Sequence, residues 1–258
     1  MSIDTLGLRE QKKRETRQAI SDHATQLFLE RGFDRTTIAD IAAAARVAKM
    51  TVTNYFPRKE DLALDHHEEF VAGLAQAVAR RPAGESALGA VRREYLAALE
   101  RRDPVIGFTG PVFARMIADS PTLVARLRDL HDQREDALAR QLATETPGDP
   151  LTARAVAAQL AAADRLLFRD LQSRMLAGAA GDPGDPGDPG DPGDLGDLGD
   201  GGDPGADAHA DPGADAHGDG QDHGQDDTQD DGTAAALAEV ARRVFGLLEP
   251  AVGAYAVR

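Results

Sequence analysis

TTIADIAAAARVAKMTVTNYFPRKEDL, residues 36–62, holds two short helices and the turn between them. Thr36 and Thr37 offer N-cap hydroxyls, and Asp40, three residues after Thr37, completes a loose capping box. Ile38, Ile41, Ala42 and Ala45 then form the apolar stripe of a short helix. A brief turn around Arg46 and Val47 leads into a second helix, about Lys49 to Tyr55. Pro57 ends it, because the residue before a proline is pushed out of the α region. Upstream, Ile20, Ala24, Leu27 and Phe28 recur at helical spacing in a helix from about Arg9 to Arg31, and Gly32 supplies its permissive C′ position. Three helices with a tight turn between the second and third make a helix-turn-helix pattern.

Downstream, one helix is expected from Lys59 to about Arg80, with Leu62, Phe70, Leu74 and Val78 inward, closed by Pro82 and Gly84. His66 falls four residues after Leu62 and four before Phe70, so it reads as a satisfied core histidine, with His67 beside it solvated. A helix from about Glu85 to Arg102 carries Leu88, Val91, Tyr95 and Leu99. Asp103 to Gly110 is a break, and Pro111 opens a short helix. Ser120-Pro121 and Asp149-Pro150 each place an N-cap before a proline at N1, opening helices that reach about Ala143 and Leu176. The last helix, about Thr233 to Tyr255, carries Leu237, Val240, Val244, Leu247 and Leu248, and Pro250 is expected to bend or shorten it. The fold class is all-α, a helix-turn-helix domain followed by a second helical domain. Five segments are expected: a flexible basic arm (1–14), the helix-turn-helix domain (15–62), a helical domain (63–177), an acidic Gly/Asp/Pro-rich insert (178–232) and a final helix (233–258).

Composition excludes several chemistries. There is no cysteine, hence no disulfide framework, thiolate metal site or Cys nucleophile. No Gly-x-Ser-x-Gly, Gly-rich phosphate loop or His-Glu-x-x-His occurs, so the sequence offers no motif for catalysis and calls for no cofactor. The first twenty residues lack an apolar signal core, and nowhere do eighteen apolar residues run together. No membrane partner is therefore expected, and the cytoplasm is the expected compartment.

The net charge of −15 belongs to one segment. Residues 178–232 hold seventeen Asp and no Lys or Arg, so the remainder of the chain is near +2. Within residues 1–59, eleven basic face seven acidic residues, which is where a phosphate-binding surface is expected. In the acidic segment Gly recurs every third residue from Gly181 to Gly205, yet an Asp in nearly every triplet would repel across three collagen-like chains. With few apolar groups to repay ordering, the segment reads as a disordered linker. His209, His217 and His223 lie among its Asp, but such a chain offers a cation no preorganised geometry.

In the helix at 49–55, Val52 and Phe56 face inward at i and i+4, leaving Lys49, Met50, Thr51, Thr53, Asn54 and Tyr55 to project or flank. That mix suits a major groove: threonine methyls meet thymine methyls, Asn bonds adenine edges, and hydroxyls and cations reach phosphates. A short polar helix also occurs on the surface of any α-domain, so the surrounding pattern has to decide.

The run Thr36-Thr37-Ile38-Ala39-Asp40-Ile41-Ala42, then Val47, then Thr51 to Leu62, resembles the N-terminal domain of the TetR family of regulators. The likeness covers about residues 9–70 and includes Phe28 and the Gly32-Phe33 turn. It implies a homodimer that sets two such helices into successive major grooves of double-stranded DNA. The operator would be a near-palindrome with half-sites about 34–36 Å apart. It further implies base or phosphate contact by Lys49, Met50, Thr51, Thr53 and Asn54, and phosphate contact by Thr37, Tyr55 and Lys59, the last near a helix N-terminus. Two positions depart from the pattern. Ala48 stands where a Ser or Thr usually caps the third helix, and Arg58 where Ser often opens the fourth. A missing cap costs about 1 kcal/mol.

For the C-terminal half, the resemblance implies that residues 150–177 and 233–256 pack against their copies as a four-helix bundle. The stripes Val156, Leu160, Ala163, Leu167 and Leu171, and Leu237, Val240, Val244 and Leu248, are expected at that interface. It also implies an effector pocket between residues 85 and 176. Candidate lining residues are Tyr95, Leu99, Phe108, Phe113, Met116, Ile117, Leu127 and Leu130, although an aromatic or Met at helical spacing is more often a core residue. The Asn-Tyr-Phe-Pro opening and the helix layout are similar to the mycofactocin-type regulators, which implies an acyl-CoA effector. The expected function is a repressor released from its operator by a small molecule. The alternative is a constitutive or architectural DNA-binding protein with no effector.

Overall fold

The computed structural model describes residues 3–146, 149–180 and 224–257. Among these the chain is helical with no strand: α1 (Ile3–Arg31), α2 (Ile38–Ala44), α3 (Lys49–Tyr55), α4 (Lys59–Ala63), α5 (His67–Ala79), α6 (Ala87–Glu100), a 3₁₀ turn (Pro104–Ile106), α7 (Pro111–Asp119), α8 (Pro121–Glu145), α9 (Pro150–Ala180) and α10 (Gly224–Val252).

Local chemistry accounts for most boundaries. Thr37 caps α2 through the capping box with Asp40, Ser86 caps α6 through the Gly89 amide, and Ser120 caps α8 ahead of Pro121. Gly32 ends α1 with φ +83, a left-handed conformation that glycine adopts without steric cost.

Among the described residues two main apolar cores result, with a smaller cluster of Phe70, Leu130 and Phe168 beside them. The first joins Ile20, Ala24 and Phe28 of α1 to Ile41, Val52, Phe56 and Leu62, and it extends into the second half through Ile117 and Leu123. The second is formed by α5, α6, α8, α9 and α10, around Leu88, Val91, Leu99, Leu138, Leu160 and Phe245. Each such side chain, fully removed from water, contributes roughly 1.5–3 kcal/mol. Because the first core draws on α7 and α8, a shift of those helices is felt by the helix-turn-helix.

The structure differs from the sequence reading in four places. First, residues 3–14, expected as a flexible arm, continue α1. Second, the single helix expected over 59–80 is two. The chain leaves the helical region at Leu64 (φ −112, ψ 54), and α5 restarts after His66. No Pro or Gly marks that break. It is held by tertiary bonds, since the Ser21 hydroxyl of α1 hydrogen-bonds the Asp65 carboxylate and a His67 ring nitrogen meets the Leu64 carbonyl at 2.9 Å. The break also exchanges the two histidines: the His66 side chain is 54% exposed beside Glu69, while His67 turns inward. Third, α9 continues to Ala180 and α10 begins at Gly224, so residues 224–232 of the acidic segment are helical. The Gly-Asp-Pro repeat and His209, His217 and His223 lie outside the described residues.

The fourth difference concerns dimerisation. Val156, Leu160, Ala163, Leu167, Leu171 and Leu237 are buried within the single chain and are not free for a copy. The face of α9 left outward carries Leu151, Ala155, Ala162 and Leu166, and that of α10 carries Ala236 and Leu247, with Val240 and Val244 half-buried beside them. The period-3.6 stripe was legible; which of two adjoining apolar stripes faces the core was not.

Candidate nucleic-acid interface and effector cavity

Helix α3 is pinned from below and open above. Val52 and Phe56 are buried, and the Arg17 guanidinium lies 4.4 Å over the Phe56 ring. Lys49, Asn54 and Met50, the last 69% exposed, face outward, while Thr51, Thr53 and Tyr55 are half-buried at the flanks. The Thr53 hydroxyl donates to the Met50 carbonyl at 3.1 Å, which keeps its lone pairs for an incoming donor. The N-cap Ala48 is extended (φ −71, ψ 147) and provides no side-chain bond, leaving the first amides of α3 uncapped by the chain. In the α2–α3 turn Arg46 takes φ +54, a conformation that costs a non-glycine residue about 1 kcal/mol and fixes the crossing of the two helices.

The residues expected at phosphates stand in three different situations. The Thr37 hydroxyl donates to Asp40 at 2.6 Å, and together with the Thr37 amide it holds the Asp40 carboxyl below its ordinary range. Its oxygen therefore works first as a cap. The Lys59 ammonium donates to the Phe33 and Thr36 carbonyls at 2.9 and 3.1 Å and sits 4.1 Å from the Phe33 ring centre. It ties the α1–α2 loop to α4 and keeps one donor over. Tyr55 and Asn54 border a surface cleft of about 700 Å³ whose opposite wall is α1, with Arg9, Lys12 and Lys13. The sequence reading expected a phosphate-binding surface within residues 1–59 but did not assign it to these side chains. The clustering of Arg9, Lys12, Lys13, Arg14 and Arg17 was the available signal.

In the second half the candidate pocket residues divide. Tyr95 lines a cavity of about 380 Å³ between α5, α6, α8 and α9. Phe113, Ile117, Leu127 and Leu130 line a second, apolar cavity of about 80 Å³ beside the α4–α5 break, together with His67 and Phe168. Leu99 and Phe108 pack in the main core, and Met116 borders a surface groove with Phe28 and Gly32 of the first domain. Gly107 (φ +115) lies so close to α9 that an added Cβ would meet the Gln172 amide at 2.9 Å, and that amide donates to the Gly107 carbonyl at 2.8 Å. The Gly-Pro break thus forms one wall of the apolar cavity.

Sequence reasoning missed the charged residues of this half. Arg134 and Asp164 are both buried and paired, with Nε 3.0 Å from Oδ2 and Nη2 3.2 Å from Oδ1, and Arg134 also donates to the Phe70 carbonyl. His131 is wedged edge-on between Phe70 and Phe168, and burial pushes it down to about 4, so it is neutral near pH 7. No periodicity separates these from surface Arg, Asp and His. Polar contacts from the first domain to the second include Arg126 of α8 with Asp61 of α4 at 2.8 Å, the Ser120 hydroxyl with Asp34 at 3.3 Å, Arg58 with Asp129 at 3.9 Å, and the Ser21 hydroxyl with Asp65. Among the described residues no group of three or more His, Asp or Glu is placed to hold a metal ion, and no helix is long and apolar enough to cross a membrane.

Fold and site together define a helix-turn-helix protein whose α3 is open to the surface and whose second half is a cavity-bearing helical domain. Residues 20–65 match the family model described as "Bacterial regulatory proteins, tetR family". The HTH-type transcriptional regulator TcmR of Streptomyces glaucescens is 34% identical over 142 residues, 53% of this chain and 63% of that one. The HTH-type transcriptional repressor DhaR of Mycobacterium sp. (strain GP1) is 37% identical over 62 residues, 24% of this chain and 31% of that one. The chain thus spans less than two thirds of the length of either curated relative. Among solved structures, Thermus thermophilus FadR, described as a repressor in complex with lauroyl-CoA, is 27% identical with a TM-score of 0.35, over 65% of this chain and 85% of that one.

Proposed function

We propose that this chain is a sequence-specific DNA-binding transcriptional regulator that represses as a homodimer and is released by a small-molecule effector. The observation that carries the reading is α3: Val52 and Phe56 anchor it while Lys49, Met50 and Asn54 stand clear of the surface. The basic wall of α1 beside Asn54 and Tyr55 supplies phosphate contacts that position the helix, and the exposed side chains read base edges. The second copy docks on the outward faces of α9 and α10, which sets the spacing of the two recognition helices. The work is done on DNA, in the cytoplasm.

Release requires an effector that binds the free and operator-bound shapes unequally. The Asp61–Arg126 pair and the Ser21–Asp65 hydrogen bond give the path, since both hold α4 and the break after it between the cavities and α1. Selection of bound duplexes from a randomised pool tests the proposal. It is expected to enrich a near-palindrome, with binding that weakens steeply as salt rises because phosphate contacts release counterions. Failure to enrich any sequence would overturn the regulator reading. An acyl-CoA, the class implied by the mycofactocin-type likeness, is titrated alongside uncharged compounds. An operator complex that no ligand dissociates would point to the constitutive alternative.

A further inference from the structure

The cavity between α5, α6, α8 and α9 is lined by charged groups that satisfy one another. Arg134 holds Asp164, Arg93 binds Glu85 through two bonds of 3.0 and 3.2 Å, and Glu94 and Asp103 converge on Arg101 at 3.2 and 3.4 Å. Glu69 and Arg80, one of each sign, remain at the exposed rim. Between these groups lie apolar walls from Leu74, Ala77, Val91, Ala98 and Ile106. The volume of about 380 Å³ falls in the range of about 300–1,000 Å³ typical of small-molecule pockets.

Two polar atoms among the lining residues make no hydrogen bond within the chain, the Tyr95 hydroxyl and Arg134 Nε, but Arg134 Nε is already 3.0 Å from Asp164 Oδ2 in an ion pair, so the Tyr95 hydroxyl stands apart. Tyr95 is 4% exposed, and its hydroxyl has no hydrogen-bond partner within the chain. Buried hydroxyls in folded proteins nearly always have a partner, so an orphan marks a place where one is supplied from outside the chain. Inside the cavity a ligand with a net charge would have to break the Arg134–Asp164 pair to be neutralised, since Glu69 and Arg80 lie only at the exposed rim. Unpaired charge in a buried site is strongly unfavourable.

We infer that this cavity binds an uncharged, partly apolar molecule bearing both a hydrogen-bond donor and an acceptor, with the Tyr95 hydroxyl as the anchoring contact; the inference rests on the effector-responsive reading above. The Asp164 carboxylate, already taking Arg134, keeps lone pairs for a ligand hydroxyl. A multiply anionic ligand such as an acyl-CoA finds no spare buried cation in this lining.

Three para-substituted phenols of like size test the charge preference on the full chain: 4-hydroxyacetophenone (neutral), 4-hydroxybenzoate (anionic) and tyramine (cationic), with lauroyl-CoA as a fourth probe. Dissociation constants are read by titration NMR. The neutral phenol is expected to bind at least about fivefold more tightly than either charged one. Tyr95→Phe is expected to weaken it about three- to tenfold, the loss of one hydrogen bond. Because the hydroxyl has no partner within the unliganded chain, the same variant should not lower the unliganded Tm. Equal or tighter binding of 4-hydroxybenzoate, tyramine or lauroyl-CoA overturns the inference. So does an affinity that Tyr95→Phe leaves unchanged, or no binding by any probe. Binding of the selected duplex, measured on the same preparation, separates the two claims: lost DNA binding with the phenol ranking intact removes the regulator reading and not this one.

Discussion

His131 shows how a single residue ties packing to solution behaviour. It lies between the Phe70 and Phe168 rings, faces the Arg134–Asp164 pair, and has Arg165 and Arg169 nearby, all of which bear on its charge. Burial lowers it from 6.5 to about 4, so between these values the unfolded chain binds a proton that the folded one refuses. Its contribution is complete above about pH 6.5 and is lost as pH falls towards 4, to a total of about 3 kcal/mol. Urea unfolding of the native protein and of His131→Phe across that range checks this. The native curve should fall more steeply than the variant's, and parallel curves would show that His131 does not titrate in this way. Nothing in the sequence announced that role. A histidine four residues from Phe70, His66, drew the core assignment instead, and the unpredicted break after α4 put it in solvent.

At the scale of elements, the caps were the most readable feature and the interruptions the least. Thr37 with Asp40, Ser120 with Pro121 and Asp149 with Pro150 placed three helix starts from short-range chemistry alone. The α4–α5 break was hidden because it depends on Ser21, forty-four residues away, and on no local helix breaker. The uncapped start of α3 leads to a direct expectation. Ala48→Ser adds the missing acceptor to a residue already extended, and should stabilise the protein by about 1 kcal/mol in denaturant unfolding. The buried Asp61–Arg126 pair joining α4 to α8 leads to another. Arg126→Leu leaves Asp61 uncompensated and should cost about 3 kcal/mol, whereas the double change with Asp61→Leu should recover much of it. A double variant no more stable than the single one would show that the site matters for packing and not for charge.

For the whole molecule, the sequence disclosed an all-α chain, and the described residues are helical with no strand. The direction of the long C-terminal helices was not disclosed. In α9, Leu160 and Leu166 are six residues and about 120° apart around the helix, one wholly buried and the other 56% exposed. Only the packing of α6, α8 and α10 decides which stripe is used internally. The outward stripe is where the second copy is proposed to dock, with Leu247 of α10 76% exposed on the adjoining face. Leu166→Glu combined with Leu247→Glu should shift the chain to monomer in sedimentation without lowering its helicity, and weaken operator binding steeply. A double variant that remains dimeric would place the interface elsewhere.

The account stands on α3 reading DNA, and hydroxyl-radical footprinting on a selected duplex tests that most directly, using the native chain and Asn54→Ala. The native protein should protect two patches about 34–36 Å apart along one face of the duplex. Asn54→Ala should lose roughly 1–3 kcal/mol of affinity and relax the preference at one base position in each half-site. A footprint that is uniform along the duplex, or one that Asn54→Ala leaves unchanged in strength and sequence preference, would contradict the assignment of α3 as the reading element.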